Sequence, residues 1–157
     1  MKDIVVRKAI NEDFDLLVSL RVELLKYENI LNSKNKFNDV RIEKSKELIK
    51  TYLYQENSVF FVAEVFGKLV GYIHGTKDKN PNDLEGYIQG LFVLEKYRQN
   101  GVGSLLLNSL IKWFDGKKHG LTTDINNELS LNFYKKHGYK LVENKKQRDD
   151  IVFMVNQ

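Results

Sequence analysis

The chain has no cysteine. That absence excludes disulfides, protein thiolate nucleophiles and zinc–thiolate sites. It also accords with a reducing compartment, so a cytoplasmic location is expected. Proline occurs once, at Pro81 in the polar stretch KDKNPNDLEG, which reads as a turn. No apolar run approaches the ~18 residues a membrane span needs, so no membrane partner is expected. The opening MKDIVVRKAINEDF has no long apolar core and carries early acids, so no secretion signal is read there. His74, His119 and His137 lack the carboxylate or cysteine spacing of a metal site, and no metal is expected. No repeat, low-complexity tract or linker divides the chain.

What is present fits one domain spanning residues 1–157. The composition is 42% hydrophobic and 29% charged, enough for a real core in a globular class. A net charge of +4 favours an anionic partner. The lysine pairs at 117 and 118, 135 and 136, and 145 and 146 read as solvated surface. A basic helix, a zinc site and an aromatic RNA-binding signature are all missing, so no nucleic-acid partner is expected.

Periodicity divides the chain into short elements. DIVVRKA (3–9) is a β-branched strand. Asn11 is read as the cap of a helix over 12–27, with Phe14, Leu17, Val18, Arg21 (by its stem), Leu24 and Leu25 at helical spacing. A second helix is read over 41–54. SVFFVAEVF (58–66) and KLVGYIHGT (68–76) flank Gly67 as a hairpin. LEGYIQGLFV (84–93) is a third long strand with two interior glycines. Helix, strand, helix and two strands follow over 101–115, 120–125, 126–138, 139–144 and 150–157. The order β-α-α-β-β-β-α-β-α-β-β implies an α/β (α+β) fold: a mixed, mostly antiparallel sheet with helices on both faces.

The segment EKYRQNGVGSLLL (95–107) carries the sharpest signal. Arg98, Gln99, Asn100, Gly101, Val102, Gly103 and Ser104 follow a strand and open a helix. A helix start offers free N–H groups and the positive end of the dipole, which together bind anions. Glycine lets a phosphate approach the backbone. Lys96 and Arg98 are placed to add charge. Neither a Walker loop nor G-x-G-x-x-G is present. In isolation these residues also suit plain turn chemistry.

Arg98-x-x-Gly101-x-Gly103 after GLFVLEKY resembles the acetyl-CoA signature of the GCN5-related N-acetyltransferase (GNAT) superfamily, (Q/R)-x-x-G-x-(G/A) after a bulged strand. Asn127-x-x-Ser130-x-x-Phe133-Tyr134-Lys135-Lys136-x-Gly138-Tyr139 is similar to the second signature of that family, with Ser130 in place of alanine. The pair stands in the family's order, and the order of elements agrees with the family fold from Ile4 to Val155, so the resemblance covers nearly the whole chain. The resemblance implies that backbone amides over residues 98–104 hold the pyrophosphate of acetyl-CoA, the acyl donor. It implies that Leu91, Phe92 and Val93 face the pantetheine arm in a gap between the strands at 84–93 and 120–125. Asn127 would position the cofactor, and Tyr134 would lie near the thioester sulfur. Gly90 independently marks a bulge or a close approach.

Acetyl transfer to an amine then needs a donor for the developing oxyanion, read as an N–H near Leu91 to Val93, and a proton for the leaving thiolate. Tyr134 is the candidate acid and Glu85 the candidate base. On helical geometry Tyr134 lies off the line through Leu129 and Phe133, so packing on that line does not require it. Tyr27, Glu28, Phe37, Asp39 and Asp124 point to a cationic small-molecule amine as acceptor. A protein N-terminus or lysine stays open, as do homodimerisation through the strand 150–157 and a non-catalytic acyl-CoA-binding sensor or docking module.

Overall fold

The structure is a computed structural model that describes residues 3–77, 83–143 and 148–156. Strands β1 (Ile4–Lys8), β2 (Ser58–Val65), β3 (Lys68–Thr76), β4 (Gly86–Val93), β5 (His119–Asp124), β6 (Tyr139–Val142) and β7 (Ile151–Asn156) form one sheet. Its spatial order is β1-β2-β3-β4-β5-β7-β6. All pairings are antiparallel except β4 with β5. Helices α1 (Phe14–Leu31) and α2 (Asp39–Tyr52) cover one face, and α3 (Val102–Phe114) and α4 (Glu128–Lys136) the other. The predicted element order and the helices on both faces are observed.

Two apolar layers hold the sandwich together. Leu17, Leu20 and Leu24 of α1 and Ile49 of α2 pack on Phe60, Val62, Tyr72 and Phe92. On the opposite face Val102, Leu106, Leu107, Leu110 and Phe114 of α3 pack on Ala63, Ile73, Ile88 and Met154. The central strand β3 is buried on both faces beyond Lys68, which explains its nearly continuous apolar text. Phe66 and Gly67 both have positive φ, 50° and 73°, and together form the two-residue turn between Val65 and Lys68. The sequence points to Gly67 alone for that turn, since a phenylalanine rarely takes positive φ.

The first helix starts and ends differently from the prediction. Asn11 is not its cap. A single 3-10 turn, Asn11–Asp13, precedes α1. The Asp13 carboxylate accepts from the Ile10 N–H at 2.9 Å and pairs with Arg7 at 2.7 Å. Burial beside a guanidinium and a backbone donor made Asp13 the better partner, and its pKa is lowered chiefly by the Arg7 hydrogen bond. At the far end α1 runs on to Leu31, beyond the predicted Tyr27. The polar turn predicted around Pro81, the predicted strand end at Asn144 and the Lys145 and Lys146 pair lie outside the described residues.

Candidate active site

The site begins where the sheet comes apart. The parallel strands β4 and β5 pair only at Gly86 with His119 and Tyr87 with Gly120. Gly86 permits this close end, since a Cβ there would lie 3.1 Å from His119 Cβ and 2.7 Å from the Phe114 ring. Tyr87 Oη and Thr122 Oγ1 tie the strands at 2.6 Å. Past Tyr87 the register on β3 slips: His74 faces Gly90, but Gly75 faces Ile88. Gln89 is therefore the extra residue of a bulge, which bends β4 and raises its local twist. The strands part beyond it. A cleft of about 540 Å³ opens there, walled by β4, by Leu121, Thr122 and Thr123 of β5, and by the starts of α3 and α4.

One end of the cleft is an uncapped helix. Gln99 has φ 60° and Gly101 φ 85°, so the chain coils through left-handed geometry before α3. Gly101 is the N-cap and supplies no side-chain cap. The first helical hydrogen bond runs from Leu105 N–H to the Gly101 carbonyl at 3.0 Å. The N–H groups of Val102, Gly103 and Ser104 precede that bond and, by helix geometry, have no acceptor within the helix. Their partial positive charge adds to that of the dipole.

Arg98 does not extend outward from this loop. Its Nε donates to the Val93 carbonyl at 2.7 Å, and its guanidinium lies 5.2 Å over the Tyr27 ring and 5.3 Å over that of Phe92. Arg98 buttresses the strand-to-loop junction instead of reaching outward as a free cation. Lys96 sits over Tyr97 at 4.8 Å, and Asn100 Nδ2 donates to the Arg98 carbonyl at 2.9 Å.

The other end is built by α4. The Asn127 side chain accepts from Ser130 N–H at 3.0 Å, closing the helix start. Thr123 Oγ1 donates to Ser130 Oγ at 3.2 Å, which ties α4 to β5. Tyr134 is the one buried residue of α4, packed edge-on against Phe133 and Tyr139. The helix thus packs by Tyr134, while Leu129 is exposed, the reverse of the predicted packing line. Burial first, then the neighbouring Tyr139 and Tyr72, push the Tyr134 phenol above its ordinary value of 10.0. It is therefore a neutral proton holder at physiological pH. His137 donates from Nδ1 to the Phe133 carbonyl at 2.7 Å, since a carbonyl only accepts. Its Nε2 then accepts from Ser104 Oγ at 2.9 Å, joining α4 to the uncapped loop.

Most of the predicted residues converge. Leu91, Phe92, Val93, Arg98, Gln99, Gly101, Gly103, Ser104, Asn127 and Tyr134 all line the cleft. Asn100 and Val102 do not; Asn100 is exposed, and the Val102 side chain is wholly buried in the α3 core. Glu85 stands apart. It precedes β4 at the closed end, largely exposed, 3.8 Å from Lys117 and bonded by the Lys118 N–H. The structure does not bring it to Tyr134. Tyr27 and Glu28 line the cleft, with Glu28 3.6 Å from Arg41. Phe37 lies under Lys26, and Asp39 opens α2. Asp124 is a lock, not a free acid: it accepts from Asn32, Asn35 and the Asn126 N–H at 2.8, 3.2 and 2.8 Å. Lys136 and His137 also line the cleft, although neither is a predicted site residue. The spacing of Ser130, Tyr134 and His137, four and three apart, was the available signal.

Among the described residues no helix is long and apolar enough to cross a membrane, and no cluster of three or more His, Cys, Asp or Glu could hold a metal ion. Solved structures share the fold. The PaiA N-acetyltransferase of Thermoplasma acidophilum, in complex with coenzyme A, superposes with a TM-score of 0.79 at 20% identity, covering 99% of both chains. A GNAT-family acetyltransferase of Staphylococcus aureus Mu50 superposes with a TM-score of 0.77 at 17% identity, covering 98% of both. In sequence the chain is 32% identical over 104 residues to an N-alpha-acetyltransferase of Sulfurisphaera tokodaii, covering 59% of this chain and 62% of the relative. It is 30% identical over 99 residues to a probable N-acetyltransferase, camello, of Xenopus tropicalis, covering 60% and 44%. The matched region thus spans about half the length of these curated relatives. The acetyltransferase (GNAT) family model matches residues 26–139, across both the loop and the α4 signature. This chain belongs to the GNAT acetyltransferase family.

Proposed function

We propose that this chain, acting as one catalytic unit, transfers an acetyl group from acetyl-CoA to the primary amine of a small molecule. One observation carries the reading: an uncapped helix start and a buried phenol open into the same cleft, between strands that have parted. The residues fit the donor. Three unbonded amides at Val102, Gly103 and Ser104 suit a diphosphate, and the parted edge of β4 suits the amides of an extended arm. Acetyl-CoA bound there supplies an acetyl thioester.

The chain's own groups then have separate tasks. Gly101 keeps the helix start open for the diphosphate. The β4 backbone from Gly90 to Val93 aligns the arm, and an N–H at the bulge faces the carbonyl oxygen as its charge grows. The amine attacks as its neutral form; Tyr134 gives its Oη proton to the sulfur that leaves, and the proton the acylated nitrogen loses returns to Oη. Glu85 has no part, because it sits at the closed end. Holding both reactants in one cleft supplies much of the remaining rate.

The test is release of free thiol by the purified chain, given acetyl-CoA and a panel of amines. The panel runs from polyamines and amino sugars to amino acids and a peptide N-terminus. Turnover of at least one small amine supports the reading. Tight acetyl-CoA binding with no amine turned over would remove it in favour of a sensor.

A further inference from the structure

Behind the β4 bulge, on the α1 face, two polar groups lack partners. Arg21 Nε and Tyr72 Oη are both buried without a hydrogen bond to any described residue. Tyr72 is 2% exposed. Arg21 projects from the stretch of α1 that carries Leu24 and Glu28, one and two turns further on. Its stem packs as the sequence suggests, but packing does not account for its head group. No carboxylate among the described residues lies within ion-pair distance of that guanidinium. The nearby acid, Glu28, is paired with Arg41 at 3.6 Å. Burial works against the Arg21 charge, and the neighbouring Tyr72 and Glu28 favour it, yet Nε and the phenol oxygen stay unsatisfied, which is costly unless a ligand completes them.

The two groups converge on one point. A Cβ placed on Gly90 would lie 3.3 Å from Tyr72 Oη and 3.5 Å from Arg21 Nη1. Gly90 also lines the cleft. A side chain at residue 90 would crowd both groups; glycine leaves them uncovered just behind the cleft wall, one a forked cation and one a neutral hydroxyl donor. Such a set matches a single planar carboxylate in charge and geometry. A phosphate dianion would call for a second free cation, and the neighbouring Arg98 is held by Val93 and two rings.

We propose that Arg21 and Tyr72 bind a carboxylate next to the reacting amine, so that the acceptor is a free α-amino acid or a close analogue. This rests on the proposed acetyl transfer and narrows its acceptor. An α-amino acid sets its amine and carboxylate one carbon apart, so holding the carboxylate beside Gly90 presents the amine to the bulge. A peptide N-terminus, whose carboxyl is an amide, lacks the recognised group.

The experiment compares kcat/KM for free α-amino acids with that for their α-carboxamides, at saturating acetyl-CoA. The wild type is expected to prefer the acid by about tenfold or more, the scale of a lost charge-assisted bond. In Arg21→Gln that ratio is expected to fall towards one, through KM. Arg21→Lys, which keeps the charge but loses the fork, is expected to fall between, and Tyr72→Phe to reduce the ratio less. Acetyl-CoA affinity, measured by calorimetry, shows that each variant is folded. Equal use of acid and carboxamide by the wild type would overturn the inference while leaving acetyl transfer intact. An unchanged ratio in a folded Arg21→Gln would also overturn it. Turnover of no amine at all would overturn both readings.

Discussion

Tyr134→Phe removes one oxygen from the site, and the structure makes the variant easy to interpret. The ring is 4% exposed and packs edge-on at 5.2 Å from Phe133 and 5.3 Å from Tyr139, contacts that phenylalanine keeps. The hydroxyl makes no hydrogen bond that would be lost with a described residue. Stability is therefore expected to change by less than about 0.5 kcal/mol. Acetyl-CoA affinity is expected to stay close to wild type, because the diphosphate amides lie at the other end of the cleft. Turnover is different. Losing the proton that meets the leaving sulfur is expected to cost about 10²–10⁴-fold in kcat, or roughly 3–5 kcal/mol of barrier. The phenol pKa is raised by burial, so in the wild type deprotonation of Tyr134 should not depress activity between pH 7 and its ordinary value of 10.0. Thiol release at saturating substrates, beside thermal melting and calorimetric acetyl-CoA binding, separates these effects. A folded Tyr134→Phe with kcat within about threefold of wild type would refute the acid role.

Three other perturbations test the surrounding architecture. Gly101→Ala forces a side chain into φ 85° and should cost about 1–2 kcal/mol of stability while weakening acetyl-CoA binding; unchanged melting and affinity would contradict the loop geometry. Asp124→Ala abandons three donors, two of which, Asn32 and Asn35, join the α1–α2 connection to β5, and should cost about 1–3 kcal/mol, a melting loss of roughly 2–4 °C per kcal/mol; an unchanged melting point would contradict the lock. His74, stacked on Phe60 at 3.9 Å and bonded to Ser58 at 2.9 Å, has its pKa lowered from 6.5 to about 3, chiefly by burial. The unfolded chain therefore binds more protons between those values, and stability should fall as pH drops through that window. From pH 7 to about 4.5 the loss from this group is roughly 2–3 kcal/mol by linkage. Urea midpoints at both pH values measure it, and a His74→Gln variant with the same acid slope would contradict it.

The sequence made the two ends of the site legible because each depends on local chemistry. Gly101 before an apolar helix and Asn126 or Asn127 before a short one are turn and cap signals that need no tertiary knowledge; Gly101 and Asn127 are the N-caps the structure shows. The bulge was readable in outline from Gly90, but its extra residue, Gln89, follows from register with β3, a property of two strands at once. Asn11 was misread as a cap because Asp13, a poorer guess on the text alone, gains Arg7 across the fold. Glu85 shares a strand face pattern with Tyr87 and Gln89, yet the parting of β4 from β5 starts only beyond Tyr87, which leaves Glu85 at the closed end. Arg98 reads in the sequence as a free phosphate ligand, but in the fold its guanidinium lies over Tyr27 and Phe92, which are remote in sequence or on another element. Arg21 and Tyr72 gave no signal at all: one reads as a stem on an apolar helix face and the other as an alternating core aromatic.

The most direct measurement is a crystal structure of the chain soaked with acetyl-CoA. The diphosphate is predicted to lie on the N–H groups of Val102, Gly103 and Ser104, with the pantetheine arm between β4 and β5 and the sulfur beside Tyr134 Oη. Coenzyme A bound elsewhere, or a diphosphate that leaves those three amides untouched, would contradict the account.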